Sequence, residues 1–217
     1  MNQERYDFHT HSILSDGMLL PAEMIRYAQV KQHKLIAITD HAEFSNIEYV
    51  LGCLKKLPKD LYTDFLIGVE LTHVPPRKIA KLAETAKKLG AQIVVVHGET
   101  LAEPVPEGTN AAAVNCPDID ILAHPGFITT DEAGLAKENN IFLEISARRT
   151  HCLTNGHVAK AALDAGAKLL INTDAHSHDD LITQEFARKI GMGAGLSGTE
   201  VERILTKNPK EFLKRVE

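Results

Sequence analysis

Short apolar runs with a histidine or a carboxylate at or near their carboxyl end recur seven times along the chain. They lie at residues 6–12, 35–41, 65–70, 92–97, 119–124, 141–146 and 168–174. Each run has the length and the β-branched content of a buried strand. A segment suited to a helix follows each run, and Gly90 and Gly166 stand where two of these helices should end. Alternating strands and helices predict a parallel sheet covered by helices.

The residues that end the runs favour a closed barrel over an open sheet. Histidine lies at or within two residues of the end of five of the seven runs, and a carboxylate takes this place in the other two, as Glu70 and Glu144. Loops that are merely exposed to water would begin as often with Ser, Asn, Lys or Gly. A barrel gathers the carboxyl ends of all its strands around one mouth. We therefore predict an α/β barrel with seven parallel strands inside and helices outside, formed by residues 1–217 as a single domain. The last helix is expected to begin at Asn208-Pro209.

Charge and cysteine content narrow the class of protein. The formal net charge is -5, so a long nucleic acid is an unlikely partner. The three cysteines fit neither a disulfide framework nor a zinc motif, and we interpret them as reduced thiols in a cytoplasmic protein. No stretch approaches the roughly 20 apolar residues of a membrane span, so no membrane partner is expected.

Metal-ligating residue types dominate the ends of the runs. His9 and His11 stand two residues apart, and alternate residues of a strand point to the same face. Two imidazoles aimed at one point suit a metal ion. The full set is His9, His11, Asp16, His41, Glu70, His97, His124, Glu144, Asp174 and His176. One catalytic zinc usually takes three protein ligands, so this set indicates two or three ions that share ligands.

These motifs resemble, in order, those of the PHP (polymerase and histidinol phosphatase) domain family. The resemblance rests on six short segments: His9-Thr10-His11-Ser12 with Asp16-Gly17, Thr39-Asp40-His41, Gly68-Val69-Glu70, Val96-His97, Ala123-His124-Pro125 and Asp174-Ala175-His176. It implies a distorted, seven-stranded, TIM-like barrel. It also implies a metal-dependent phosphoesterase, usually with three ions.

The resemblance further implies how the ligands are shared. One ion would be held by His9, His11, Glu70 and Asp174, and a second by Glu70, His97 and His124, with Glu70 bridging. A third would be held by Asp16, His41 and His176. Some members have histidine where this chain has Asp16. The aspartate makes the third site of this chain richer in oxygen. The ions would be zinc, manganese or iron.

The predicted reaction is hydrolysis of a phosphate monoester of a small metabolite, with histidinol phosphate as the substrate that the resemblance suggests. Hydroxide generated at the ions would attack phosphorus, and Asp174 or His176 would protonate the leaving group. Three alternatives stay open: a nucleotide phosphodiesterase or 3′–5′ exonuclease, an amidohydrolase, and a non-catalytic metal-binding module. An amidohydrolase is expected to carry a lysine-derived bridge where this chain has His97.

Further polar residues are expected around the mouth. Arg148 and Arg149 follow the sixth run, and arginine pairs bidentately with phosphate. His151 and His178 are additional candidates for substrate contact. Glu99 and Glu144 are expected beside the ions, where each would orient a ligand histidine or contact a cationic group of the substrate.

Overall fold

A computed structural model describes residues 4–216 of the chain. The strands are β1 (Arg5–Asp7), β2 (His33–Ile38), β3 (His41–Ala42), β4 (Asp64–Leu71), β5 (Ile93–His97), β6 (Ile121–Ala123), β7 (Phe142–Ser146) and β8 (Leu169–Asn172). The helices are α1 (Pro21–Val30), α2 (Ile47–Leu54), α3 (Pro76–Lys88), α4 (Thr109–Val114), α5 (Thr130–Glu138), α6 (Asn155–Ala165), α7 (Gln184–Gly193) and α8 (Gly198–Val216), and a 3-10 turn spans His151–Thr154.

Seven of the strands pair in the order β1-β2-β4-β5-β6-β7-β8, and every pair is parallel. The two-residue strand β3 pairs with β4, where His41 stands opposite Glu70. Beyond the ends of β1 and β8, Thr10 forms a parallel bridge with Ala175, and His11 N donates to Ala175 O at 2.8 Å. The sheet is therefore a nearly closed, TIM-like barrel, and the predicted fold class is confirmed.

Side chains close the seam between the short strands β1 and β8. Arg5 Nη1 donates to the carbonyl of Ile171 at 2.8 Å, and Asp7 Oδ1 accepts from Thr173 N at 3.1 Å. Asn172 Oδ1 accepts from Phe8 N at 3.1 Å. These bonds satisfy backbone groups that a longer strand ladder would have paired. The predicted first strand, residues 6–12, is thus shorter than expected, and its histidines lie in the segment that follows β1.

Alternation along the strands sorts the core into two layers. On β5, Ile93 and Val95 pack inside the barrel, whereas Val94 and Val96 pack against the helices. His97 continues the inward series, which turns its imidazole toward the mouth. At the opposite end, Phe212 of α8 packs on Phe8 with ring centroids 4.6 Å apart. The interior is therefore filled with side chains at one end and carries polar groups at the other.

The last helix does not begin at Asn208-Pro209 as expected. Helix α8 runs unbroken from Gly198 to Val216 with Pro209 inside it. Proline lacks the N–H that would bond to the carbonyl of Leu205. Gln184 Nε2 donates to that carbonyl instead at 3.2 Å, while Asn208 Nδ2 bonds to Leu169 O at 2.8 Å. Tertiary contacts thus offset the cost of the proline. Within residues 4–216, no helix has the length and apolar character needed to cross a membrane.

Candidate metal centre

Glu70 lies at the end of β4, fully buried, with five imidazoles around its carboxylate. Oε1 is 3.3 Å from His9 Nε2, 3.2 Å from His97 Nδ1 and 3.4 Å from His124 Nε2, and Oε2 is 2.8 Å from His41 Nδ1 and 3.5 Å from His11 Nε2. The imidazoles come from the last residue of β5 and from the segments that follow β1, β2 and β6. The barrel therefore gathers residues separated by more than a hundred positions around one carboxylate.

Several donor atoms of this cluster are buried without a hydrogen-bond partner among residues 4–216. They include both ring nitrogens of His97, both ring nitrogens of His124, Oε1 of Glu70 and Oδ1 of Asp174. An unsatisfied buried polar group costs about 1–3 kcal/mol. Imidazole and carboxylate are ligands for zinc, manganese and iron, and bound ions would satisfy these atoms. The residues present thus fit a cluster of divalent ions.

The nine residues that the resemblance assigns to the three ions all lie in this region. Together with Glu144 and His151, they form groups whose ligand atoms lie within 4.8 Å of one another: His11, Asp16, His41 and His176; His9, His11 and Asp174; His9, His124 and Glu144; His41, Glu70 and His97; and His124, His151 and Asp174. These groups overlap the predicted division among ions but differ from it, because His11 stands beside Asp16 and His41 beside Glu70. The division among individual ions stays a prediction.

Two of the predicted ligands have a left-handed backbone. φ is +27° at His124 and +52° at Asp174. Such conformations cost on the order of 1–3 kcal/mol in a residue with a side chain and persist where the surrounding structure requires them. His124 follows β6 directly, and a regular strand would turn its side chain away from Ala123 and toward the helices. The positive φ instead keeps the imidazole at the mouth.

Glu144 holds the imidazole of His9, one of the predicted ligands, in a fixed orientation. Its Oε2 accepts from His9 Nδ1 at 2.8 Å and from Asn172 Nδ2 at 3.0 Å. A carboxylate that accepts from one ring nitrogen leaves the other nitrogen free to ligate an ion. His9 Nε2 accordingly faces Glu70 and Asp174. Of the two roles expected for Glu144, this placement fits the orientation of a ligand histidine.

Asp40 organises the loop that carries Asp16. Its carboxylate accepts from Ser12 N, Ser12 Oγ and Ser15 Oγ, each at 2.7 Å. The loop then folds back so closely that a Cβ on Gly17 would collide with the carbonyl of His11. Asp16 Oδ1 reaches 3.1 Å from His176 Nε2 and 3.5 Å from His41 Nε2. Asp40 precedes the predicted ligand His41, and the sequence does not indicate that it holds this loop.

Burial and neighbouring charges shift the pKa values of the cluster in opposite directions. Burial alone would raise the pKa of Glu70, but the imidazoles of His9, His97 and His41 hold that pKa well below its usual range. Burial would likewise lower the pKa of His9, which Glu144 and the other carboxylates raise well above its usual value. Burial raises the pKa of Asp174. The carboxylates and imidazoles of the cluster thus offset part of the cost of burying one another.

Of the two predicted arginines, Arg148 reaches the cluster. Its Nη1 donates to Asp174 O at 3.0 Å and lies 2.5 Å from His176 Nδ1. Its Nε is 3.7 Å from Asp174 Oδ2. Arg149 is exposed at the rim. His178 is also exposed, and its ring stacks on Tyr27 with centroids 4.9 Å apart.

Glu99 was expected beside the ions, where it would orient a ligand histidine or contact a cationic group of the substrate, but it bonds to Asn110. Its Oε1 accepts from Asn110 N at 2.9 Å, and its own N–H donates to Asn110 Oδ1 at 3.1 Å. This exchange ties the segment after β5 to the beginning of α4. A different carboxylate of the same segment, Glu103, faces the cluster instead.

Glu103 was not expected at the site from the sequence. Its Oε2 lies 3.3 Å from His97 Nε2 and 3.4 Å from His73 Nε2, and the side chain is 38% exposed. Its contact with His97 lowers the pKa of Glu103 to about 2. It lies in the irregular segment between β5 and α4, where no periodicity predicts which side chain turns inward.

Comparison with known proteins places the chain in a family. The model of the PHP domain matches residues 7–183. An uncharacterized protein of Methanocaldococcus jannaschii, MJ1295, is 54% identical over 98% of this chain and 100% of its own length. A probable phosphatase of Thermoanaerobacter sp. is 30% identical over 96% of this chain and 94% of its own. The DNA polymerase/3′-5′ exonuclease PolX of Bacillus subtilis is 29% identical, and the match spans 42% of its length.

Solved structures with low identity share the fold. A chain in the cryo-EM structure of archaeal ribonuclease P with mature tRNA matches with a TM-score of 0.71 at 17% identity, over 96% of this chain and 90% of that one. Histidinol phosphate phosphatase of Lactococcus lactis, complexed with zinc, L-histidinol and phosphate, matches with a TM-score of 0.64 at 16% identity, over 89% and 95%. Because the family match extends over most of the sequence and includes every strand-end ligand, the chain belongs to the PHP domain family.

Proposed function

We propose that this chain hydrolyses the phosphate monoester of a small metabolite with the help of two or three divalent ions, which are zinc, manganese or iron. The observation that carries the proposal is the burial of Glu70 between five imidazoles with donor atoms left unsatisfied. Burial of so many ionisable side chains destabilises the folded protein unless bound ions compensate it, and a protein without a metal site would not require it. The three cysteines are free, which fits the cytoplasmic location that we also propose.

The residues of the chain supply binding and orientation. Divalent ions bound at the cluster would neutralise phosphate charge and lower the pKa of a water molecule. Arg148 holds a fixed positive charge beside Asp174 and His176, where it would bind a phosphate oxygen. Glu144 fixes the orientation of His9. Asp174 and His176 stand at the mouth, and one of them would protonate the leaving alkoxide.

The organic part of the substrate would meet the rim. The histidinol phosphate phosphatase of Lactococcus lactis suggests an amino alcohol phosphate such as histidinol phosphate. Glu144 is occupied with His9, and Glu99 with Asn110, so neither is placed to meet an ammonium group. Glu103 is the half-exposed carboxylate beside the cluster, and we assign it that contact. Arg149 and His178 would line the outer rim.

A phosphodiesterase is the second candidate. The relatives PolX and a 5′-3′ exoribonuclease of Haemophilus influenzae favour it. The match covers 42% of PolX and 24% of the exoribonuclease, however, whereas it covers 94% of the probable phosphatase. The net charge of -5 also opposes binding of a long nucleic acid. These facts favour the monoester.

Two model substrates separate the candidates. With manganese or zinc, the purified protein should release p-nitrophenol from p-nitrophenyl phosphate much faster than from bis-p-nitrophenyl phosphate. Histidinol phosphate then tests the proposed metabolite class. The reverse preference would replace the monoesterase with the diesterase. Hydrolysis of neither compound by protein loaded with ions would favour a non-catalytic role, such as that of a protein subunit in a ribonucleoprotein.

A further inference from the structure

His151 is buried although it lies in a loop segment at the mouth of the barrel. The residue opens the 3-10 turn His151–Thr154 after β7, and its side chain is 3% exposed. Its imidazole stacks on that of His124 with centroids 4.1 Å apart and an interplanar angle of 19°. No strand-end motif contains it. An imidazole that is buried against a predicted ligand histidine needs partners for both of its ring nitrogens.

One ring nitrogen of His151 is held by the segment that follows β5. His151 Nδ1 lies 2.7 Å from Thr100 Oγ1. Thr100 is itself buried, so the contact is protected from water. The hydroxyl fixes the rotation of the ring and directs Nε2 inward. Ligand histidines in metal sites are typically held in this way through the nitrogen that does not bind the ion.

The other ring nitrogen faces two carboxylates, and its distance from Asp174 suits a shared ion. His151 Nε2 is 3.7 Å from Asp174 Oδ2 and 3.6 Å from Glu103 Oε1. Hydrogen bonds between nitrogen and oxygen are about 2.7–3.2 Å long, so neither pair makes one. Two ligands that each lie about 2.0–2.1 Å from a tetrahedral zinc are separated by about 3.4 Å. The ligand atoms of His124, His151 and Asp174 lie within 4.8 Å of one another.

We propose that His151 is a metal ligand that shares a divalent ion with His124 and Asp174, and that Thr100 is its positioning residue. Both ring nitrogens of His124 are buried without a hydrogen-bond partner among the described residues, so a nitrogen of His124 is available to bind the same ion. The proposal rests on the metal cluster of the proposed function. It adds to the strand-end motifs a ligand that a loop supplies, and it removes His151 from the set of substrate contacts.

Cobalt binding tests the ligand directly, without reference to activity. Protein stripped of metal is titrated with Co²⁺, and binding is followed by calorimetry and by visible ligand-field absorption. His151→Gln should weaken one binding step by at least tenfold and remove the corresponding part of the absorption. Thr100→Val should weaken the same step by about 10–100-fold, as loss of an orienting partner does, and Thr100→Ser should restore it.

His157→Gln is the matched control. His157 lies in α6 close to His151 in sequence, and its Nε2 bonds to the carbonyl of Ile128 at 2.7 Å, away from the cluster. Its cobalt titration should match that of the wild type. If His151→Gln is not folded by circular dichroism, the Thr100 pair carries the test.

Two negative results have different meanings. If His151→Gln, or the Thr100 pair, binds cobalt like the wild type and changes only the Michaelis constant for a phosphate ester, His151 is a substrate contact and the inference is wrong. If the wild-type protein itself binds no cobalt, the metal cluster of the proposed function fails as well.

Discussion

Replacing Glu70 by glutamine removes one negative charge from the centre of the cluster and changes almost nothing else. The amide is isosteric with the carboxylate, and the side chain is fully buried, so the packing is retained. Glu70 Oε1 lies 3.2–3.4 Å from three imidazole nitrogens, and Oε2 approaches two more. Such a central carboxylate would contact more than one ion, so its loss weakens several interactions at once.

The expected loss follows from Coulomb's law. Two unit charges 4 Å apart interact by about 4 kcal/mol at an effective dielectric constant of 20. Each 1.36 kcal/mol corresponds to about a tenfold change in rate. Loss of one such interaction therefore lowers kcat/KM by about a thousandfold, and a bridging role makes that a lower bound.

The assay measures kcat/KM for p-nitrophenyl phosphate with manganese, together with the metal content of the same sample. Glu84→Gln is the matched control, because it makes the same chemical change on the exposed face of α3, where Glu84 pairs with Lys88. It should behave like the wild type. If folded Glu70→Gln keeps more than a tenth of the wild-type kcat/KM and its full metal content, the central role of Glu70 is refuted.

Two further predictions concern the rim and the base of the barrel. Arg148→Ala should lower kcat/KM by about 10–100-fold, mainly through KM, because a charge-assisted hydrogen bond contributes about 1.5–3 kcal/mol. Arg149→Ala should lower kcat/KM less. Equal effects of the two substitutions would contradict the placement of Arg148 at the phosphate. Burial lowers the pKa of His33 to about 4 in the folded protein, against about 6.5 in an unfolded chain. Between about pH 6.5 and pH 4, His33 is therefore protonated in the unfolded chain but not in the folded protein. Stability is therefore lost as pH falls from about 6.5 to 4, by up to about 3 kcal/mol, and His33→Gln should show a shallower loss in guanidinium unfolding of metal-free protein. Parallel stability curves for the two proteins would show that His33 is not responsible.

The strands made much of the site predictable. Because alternate residues of β5 point inward, Val95 in the core implies that His97 points to the mouth. The same reasoning relates Phe142 to Glu144 on β7. The closed barrel then brings these ends together without any information on the loops. The alternation of side chains along the strands therefore predicts which residues lie at the mouth of the barrel.

The loops were not predictable in this way. Thr100 and Glu103 lie in an irregular segment, and only the folded structure shows that they turn toward His151 and His97. Glu99 lies two residues beyond the end of β5, in the same irregular segment, and bonds to Asn110 instead. Likewise, the unbroken helix α8 depends on a bond from Gln184 that local sequence rules do not contain. Long-range contacts decide these features.

The central claim is that ions held by the buried cluster carry out phosphomonoester hydrolysis. The most direct measurement adds manganese or zinc stepwise to metal-free protein and follows phosphate release from p-nitrophenyl phosphate against metal bound per chain. We expect negligible release without metal and a rise that saturates at two or three equivalents. Full release by metal-free protein, or saturation of activity well below two equivalents, would contradict it.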